Sequence, residues 1–205
     1  MEKTVYSYIK AMRDIIVENK DFLTQLDAEI GDADHGTNMA RGFNAVVEKL
    51  SEEDLDLKNV LKKAGMGLIS SVGGASGPLY GTMFLKAANV AVDNTMDPNV
   101  LCQMFKAALD GVKERGKATK GEKTIIDAME PAYEAFVEVI DSGGSVQQAL
   151  EKALEAAKEG VEYTKTIIAT KGRASYLGER SIGHQDPGAT SFTLLLESIL
   201  KNYMK

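Results

Sequence analysis

Residues 145–160 read SVQQALEKALEAAKEG. Apolar side chains recur there every three or four positions, with glutamate and lysine between them, which is typical of an amphipathic helix. The same spacing returns near the end of the chain, and no stretch alternates at period two with β-branched residues. The pattern therefore predicts an all-α protein. In residues 145–160 the apolar positions are Val146, Leu150, Ala153, Leu154 and Ala157.

Breaks between the periodic stretches predict eight helices in a single domain that spans residues 1–205. Asp97 followed by Pro98, and Ser145 after two glycines, are typical helix starts. Pro131 falls inside the sixth helix and is expected to kink it or to mark a later start. Short connections favour antiparallel neighbours, hence a bundle or a closed ring of helices. The predicted helices cover residues 3–26, 36–50, 54–70, 77–94, 97–115, 124–142, 145–170 and 187–204.

The composition excludes several classes of protein. A net charge of −6 and a pI near 5.1 argue against a nucleic-acid-binding surface, which would be basic. A single cysteine, Cys102, excludes an internal disulfide framework. The amphipathic, charged start of the chain does not resemble a signal peptide, and no apolar run is long enough to cross a bilayer. The sequence thus predicts a cytoplasmic protein without nucleic-acid or membrane partners.

Four glycine-rich segments interrupt the helical pattern. They comprise residues 27–38, 70–82, 116–124 and 171–188, and the last is longer than an ordinary connection. If the helices alternate up and down, the first, second and fourth segments lie at one end, and the third joins them there. We therefore expect a composite site on a shared rim.

The first segment carries three aspartates, Asp27, Asp32 and Asp34. Carboxylates this close repel one another unless a cation lies between them, and hard oxygen ligands suit magnesium better than zinc. A solvated acidic loop that caps the next helix is the alternative. The spacing excludes a calcium EF-hand loop, and a lone His35 disfavours a zinc site.

The second segment reads SSVGGASGPLYGT over residues 70–82. Glycines let backbone N–H groups approach a phosphate, and the following helix N-terminus favours its negative charge. The segment is neither a P-loop nor a nucleophile elbow. A tight turn in which glycines allow close helix packing is the alternative.

The fourth segment concentrates cations, an aromatic ring and glycines. Arg173 or Arg180 is a candidate for bidentate phosphate binding, and the segment is a candidate lid over a bound nucleotide. Alternatively, the arginines meet only solvent, His184 is structural, and Asp186 simply caps the last helix.

Together these motifs resemble a known family. The stretches GDADHGTNM (31–39), SSVGGASGPLYGT (70–82) and GRASYLGERSIGHQDPG (172–188) are similar to the nucleotide-binding L subunits of the dihydroxyacetone kinases. The resemblance covers essentially the whole chain. It implies a barrel of eight antiparallel amphipathic helices with the nucleotide site in loops at one end.

The resemblance also implies the site residues. Asp27, Asp32 and Asp34 would hold two magnesium ions that bridge the phosphates of ADP or ATP and, with Arg173, would be the catalytic residues. The third segment departs slightly from the family pattern, because GEKTI (121–125) stands where Gly-Asp-Lys-Thr-Met is usual. The implied nucleotide contacts are His35, Gly36, Thr37, Asn38, Ala75, Ser76, Gly116, Ile125, Arg173, Asp186, Pro187 and Gly188.

Partners follow from the resemblance as well. A separate subunit would hold dihydroxyacetone, and a phosphohistidine donor subunit of the phosphotransferase system would recharge bound ADP to ATP. An ATP-exchanging kinase subunit is an open alternative, as is a regulatory module that engages a transcription regulator. A fatty-acid-kinase-like nucleotide domain is disfavoured, because those relatives usually carry threonine where His35 stands.

Overall fold

The described chain folds entirely into helices and connections. The computed structural model describes residues 4–92 and 97–205. Within them lie nine α-helices and one 3-10 helix, so the predicted all-α class is confirmed. None of these helices combines the length and apolar character needed to cross a membrane. The α-helices are α1 Val5–Glu18, α2 Lys20–Ile30, α3 His35–Glu48, α4 Leu57–Ser71, α5 Ser76–Val90, α6 Pro98–Gly116, α7 Ile126–Asp141, α8 Val146–Thr164 and α9 Pro187–Met204, and the 3-10 helix is Arg173–Ser181.

The helices pack in chain order around one apolar core. From α2 to α9 each helix contacts the next, and α9 also lies against α1. Phe43, Phe84 and Phe136 are buried between them. This order is the one that a closed ring requires, while the eight-helix barrel itself stays a prediction.

The first predicted helix is divided in two. Asn19 ends α1 and precedes α2, and its side-chain amide donates to the carbonyl oxygen of Ile15 at 2.8 Å. An asparagine that bonds to nearby backbone offers the chain an alternative to continued helix. Apolar spacing continues on both sides of the break, so the pattern did not show it. The predicted helix limits at residues 3 and 94 lie outside the described residues.

The predicted helix starts at Asp97 and Ser145 are confirmed. The Asp97 carboxylate accepts from the N–H of Asn99 at 2.8 Å, with Pro98 in the first turn. Ser145 forms a reciprocal capping box with Gln148. Helix α8 ends at Thr164 rather than at residue 170, and residues 165–170 connect it to the fourth glycine-rich segment.

Helices α7 and α8 approach each other closely at a glycine. Pro131 lies inside α7 and cannot donate to the carbonyl four residues earlier, which belongs to Asp127. That oxygen faces Gly160, where an added Cβ would lie 2.2 Å from it. The absence of a side chain at Gly160 therefore sets the spacing of the two helices.

A Gly160→Ala substitution is expected to lower the free energy of unfolding by about 1–3 kcal/mol, because the rigid backbone has to move apart. Chemical denaturation measures the change. Gly116→Ala is the matched control, since its nearest contact is the flexible Leu79 Cδ2 at 3.3 Å. Equal stability of the two variants would contradict the packing argument.

Candidate functional site

A cavity of about 530 Å³ lies where the glycine-rich segments meet. Residues from all four segments line it, as the sequence placement on one rim predicted. Ligand pockets commonly measure about 300–1,000 Å³, so the cavity is large enough for a small-molecule ligand. Its lining combines carboxylates with apolar side chains, among them Leu79, Val112 and Ile126.

The acidic side of the cavity is folded around Asp27. This buried carboxylate lies in the last turn of α2, and its Oδ2 accepts from the N–H groups of Asp34 at 2.8 Å and His35 at 3.1 Å. Gly31 follows so closely that an added Cβ would lie 2.1 Å from Asp27 Oδ1. The loop therefore needs both the carboxylate and the glycine.

Three carboxylates converge in this loop. Asp27, Asp32 and Asp34 each offer an oxygen, and these oxygens lie within 4.8 Å of one another. Asp27 is buried, whereas Asp32 and Asp34 are accessible to solvent, and all three line the cavity. A cluster made only of carboxylates matches the ligand preference of magnesium and lacks the nitrogen or sulfur typical of zinc sites. The geometry thus fits a divalent cation with open positions for ligand oxygens.

The 3-10 helix places the positively charged side chain of Arg173 at the cavity. Arg173 begins this helix, and its Nη2 lies 2.9 Å from Asp32 Oδ2. The Arg173 side chain is 68% exposed, so the ion pair is weak and the guanidinium is free to turn toward a ligand.

Four helix N-termini also point at the cavity. Helices α3, α5, α7 and α9 all begin among its lining residues. The first N–H groups of a helix have no partner within it and carry partial positive charge. The partial positive charge of these helix starts favours an anion in the cavity, next to a cluster that suits a cation.

His35 is buried behind the acidic loop. Its Nδ1 lies 3.0 Å from Ser76 Oγ and its Nε2 lies 2.8 Å from Ser191 Oγ. The Ser191 hydroxyl is in turn 2.6 Å from the Tyr80 hydroxyl. Burial lowers the pKa of His35, and the carboxylates of Asp27 and Asp34 and a hydrogen bond to the Pro187 backbone oppose that shift. Both ring nitrogens and the backbone N–H of His35 are engaged within the protein.

Lys123, in the third glycine-rich segment, is hydrogen-bonded to backbone carbonyl oxygens at both ends of residues 164–184. The buried ammonium donates to the carbonyl oxygens of Thr164 and His184 at 2.5 Å each and reaches that of Ile167 at 3.4 Å. Burial lowers the pKa of Lys123, and the carboxylates of Asp186 and Asp127 oppose that shift. All three donors of the amine are used, so Lys123 ties both ends of residues 164–184 together rather than meeting a ligand.

Asp186 caps α9 beside this lysine. Its Oδ2 accepts from the N–H of Ala189 at 2.7 Å. Burial raises the pKa of Asp186 to about 7, with the Asp127 carboxylate adding to the shift and the Ala189 hydrogen bond and Lys123 opposing it.

We expect this carboxyl to make stability fall as pH rises from about 4 to about 7. Across that window the unfolded chain has lost the Asp186 proton while the folded protein keeps it. The difference in unfolding free energy between wild type and Asp186→Asn should decrease over this range and level off above it. Denaturation at several pH values measures it, with Asp97→Asn at the exposed cap of α6 as the matched substitution. A difference that does not vary with pH would contradict the prediction.

Comparison with known proteins identifies the family. Residues 29–201 match the family described as the DAK2 domain. The chain belongs to the DAK2 domain family.

Curated relatives of this DAK2 domain align over nearly their whole length. The chain is 48% identical to a protein of Escherichia coli K12 named as the ADP-binding subunit DhaL of a PEP-dependent dihydroxyacetone kinase, over 95% of this chain and 94% of the relative. It is 47% identical to a Listeria innocua protein named as the ADP-binding subunit DhaL of PEP-dependent dihydroxyacetone kinase 1, over 91% and 89%.

A solved structure shares the DAK2-domain fold. The dihydroxyacetone kinase from C. freundii in complex with AMP-PNP and Mg2+ superposes with a TM-score of 0.72 at 23% identity. The match covers 96% of this chain and 33% of that chain. At this identity the likeness shows the fold alone.

The structure places most residues implied by the family resemblance on the cavity wall. The exceptions are three residues in the first turn of α3. Gly36 packs against α2, where an added Cβ would lie 2.0 Å from the Lys20 carbonyl oxygen. Thr37 is exposed, and Asn38 is buried where its Oδ1 accepts from Arg41. Those in the cavity lining are Asp27, Asp32, Asp34, His35, Ala75, Ser76, Gly116, Ile125, Arg173, Asp186, Pro187 and Gly188.

Several residues of this DAK2 domain were missed by sequence reasoning. Tyr80 lies in the second glycine-rich segment, Ser191 in the last predicted helix and Lys123 in the third segment, and none of them was singled out. Asp127 accepts from the N–H groups of Gly121 at 2.5 Å and Thr124 at 2.8 Å, which shapes the third segment. Only its position just inside a helix start hinted at such a capping role.

Proposed function

We propose that this chain is the ADP-binding subunit of a phosphoenolpyruvate-dependent dihydroxyacetone kinase. It would transfer a phosphoryl group from magnesium-bound ATP to dihydroxyacetone held on a separate subunit. A phosphohistidine donor subunit would regenerate the ATP in place from bound ADP. The observation that carries the proposal is the meeting of three carboxylates with four helix N-termini around one cavity.

This arrangement suits a polyphosphate that carries a divalent cation. The three carboxylates provide cation ligands, while the helix N-termini and Arg173 provide positive charge for phosphate oxygens. The apolar wall near Leu79 and Ile126 offers a surface for a flat base. The names of the Escherichia coli and Listeria relatives support ADP as the nucleotide, and the C. freundii complex supports magnesium.

Phosphoryl transfer requires mostly positioning and charge stabilisation from a protein. Asp27, Asp32 and Asp34 would hold two magnesium ions, which neutralise charge on the β- and γ-phosphates when bound. Arg173 would turn from Asp32 toward the transferring group. No side chain of this site needs to act as a covalent nucleophile.

The nucleotide and metal content of protein purified without added nucleotide tests the proposal. We expect near-stoichiometric ADP and about two magnesium ions that survive desalting. A chelator-treated sample, reloaded with ADP with or without magnesium, provides the control. Empty protein that binds ATP weakly and reversibly would favour an ATP-exchanging subunit, and no nucleotide binding with magnesium present would overturn the proposal.

A further inference from the structure

Arg173 lies in a loop whose two ends are held together. The loop comprises residues 165–183, and at its base the N–H of Gly183 donates to the carbonyl oxygen of Lys165 at 2.7 Å. Compact surface loops with close ends are commonly packed by their own side chains. The place of the Arg173 guanidinium is therefore set by how the 165–183 loop as a whole is held on the helices.

The 165–183 loop has a small apolar cluster of its own. Ala169 and Ala174 are buried there against Ile30, the last residue of α2, and this cluster is separate from the main core. The Ala169 N–H donates to Ser181 Oγ at 2.9 Å, which joins the two arms of the loop. Because the loop is packed within itself, we expect it to shift as one body when its attachment to the protein changes.

Two exposed ion pairs connect the loop to the acidic segment. Arg173 Nη2 lies 2.9 Å from Asp32 Oδ2, and His184 Nδ1, just after the loop, lies 2.8 Å from Glu29 Oε2. Ion pairs between exposed side chains contribute little, because water competes for both partners. These two contacts therefore do not fix the position of the loop by themselves.

Lys123 supplies the buried attachment of the 165–183 loop. Its ammonium donates to the carbonyl oxygens of Thr164 and His184, which flank the loop, and to that of Ile167 inside it. Hydrogen bonds from a charged donor are stronger than neutral ones, and burial shields these from water. One side chain thus holds both ends of the loop that carries Arg173.

The backbone around Lys123 is shaped for this contact. Lys123 has a φ of 60°, in the left-handed region that residues other than glycine rarely adopt. On either side of it, the N–H groups of Gly121 and Thr124 donate to the Asp127 carboxylate at 2.5 and 2.8 Å. Such a conformation persists only where surrounding contacts hold it, and it is found most often at functional sites. The Asp127 cap therefore maintains the turn from which Lys123 reaches the loop.

We propose that Lys123 is a positioning residue for phosphoryl transfer, which holds the 165–183 loop so that the guanidinium of Arg173 reaches the transferring group. This inference rests on the proposed function, because that function gives Arg173 its role. The ammonium of Lys123 has no donor left for a ligand. Since Lys123 acts through Arg173, its loss should affect the transfer step more than the binding of ADP.

Single-turnover transfer from preloaded ATP, in complex with the substrate-holding subunit, tests the proposal. Lys123→Met is expected to slow transfer about ten- to a hundredfold and to change the ADP Kd far less, because a displaced guanidinium loses its alignment. In an Arg173→Ala background the same substitution should cost no further rate. A full rate in Lys123→Met, or an equal loss in the Arg173→Ala background, would overturn the proposal. Lys120→Met, at an exposed lysine of the same segment, is the matched control and should keep the wild-type rate.

A second variant acts on the same loop from the surface. Glu122 Oε1 accepts from Thr170 Oγ1 at 3.3 Å and lies 3.6 Å from Lys171 Nζ. Glu122→Ala leaves the buried amine of Lys123 in place, so we expect it to fold and to slow transfer by a smaller factor. This loss should also vanish in the Arg173→Ala background. If Lys123→Met does not fold, Glu122→Ala decides by the same cycle, and a loss that persists without Arg173, or no loss, overturns the proposal.

Hydrogen exchange in nucleotide-free protein gives a readout that needs no ligand. Lys123→Met is expected to speed exchange at the amides of Ala169 and Gly183, which donate within the loop, and to leave the amides of α4 unchanged. Unchanged exchange in the loop would overturn the proposal, as would faster exchange in α4, which would indicate a general loss of stability. Wild-type protein that neither binds nucleotide nor supports transfer would instead overturn the proposed function, so the two failures are distinguishable.

Discussion

An Asp32→Asn variant is expected to lose at least about a hundredfold in affinity for magnesium–nucleotide and to lose phosphoryl transfer with it. The substitution keeps the size of the side chain but removes one of three charges that share a space of 4.8 Å. Asp32 is exposed and holds no backbone group that the loop depends on, so the fold should survive. Calorimetry with ADP and magnesium measures the affinity, and an assay with both partner subunits measures turnover.

Asp21→Asn is the matched control for this prediction. Asp21 lies on α2 with a side chain that is 95% exposed, so it changes the net charge equally without touching the cavity. Unchanged nucleotide retention in Asp32→Asn would remove Asp32 from the metal site. A loss that appears only without magnesium would also contradict the assignment.

Arg173→Ala is expected to slow phosphoryl transfer by about a hundred- to a thousandfold while changing ADP affinity far less. The guanidinium is mostly exposed and weakly paired, so its contribution grows as charge develops on the transferring group. Arg173→Lys keeps the charge but not the planar fork of donors, and should recover only part of the rate. Single-turnover kinetics with preloaded ATP separates the chemical step from binding.

Arg180→Ala is the control, because Arg180 is exposed at the other end of the same 3-10 helix and does not line the cavity. Equal losses in both variants would indicate a general electrostatic effect. A rise in ADP Kd that accounts for the whole loss at Arg173 would place this residue in ground-state binding instead.

Most of the fold was predicted from the helical spacing of apolar residues. Apolar faces and caps such as Ser145 are local features, so their chemistry can be read from neighbouring residues. The helix break at Asn19 could not be predicted in this way, because a single side chain decides it while the apolar spacing continues through it. The 3-10 helix Arg173–Ser181 was expected as irregular chain, since its glycines and polar residues favour no regular element.

Some residues of the site could be predicted from the sequence and others could not. The three aspartates lie within one loop, so sequence distance was a fair guide to spatial distance. The residues behind the cavity come together only through tertiary packing, as Tyr80 and Ser191 are 111 positions apart. No local signal marks a buried serine as part of a network. At Gly36 the structure shows packing against α2, and the ligand contact that the resemblance implies there stays a prediction.

The reactivity of the buried Lys123 amine can report on local opening of the protein. An amine-reactive reagent needs a free, accessible amine, and Lys123 is 1% exposed with its donors held by three carbonyl oxygens. Other lysines of the described chain should be labelled first, and Lys123 only when the segment that it fastens comes loose. The rate at which a mass spectrometer finds label on this one peptide would therefore count opening events, with and without nucleotide, in unmodified wild-type protein.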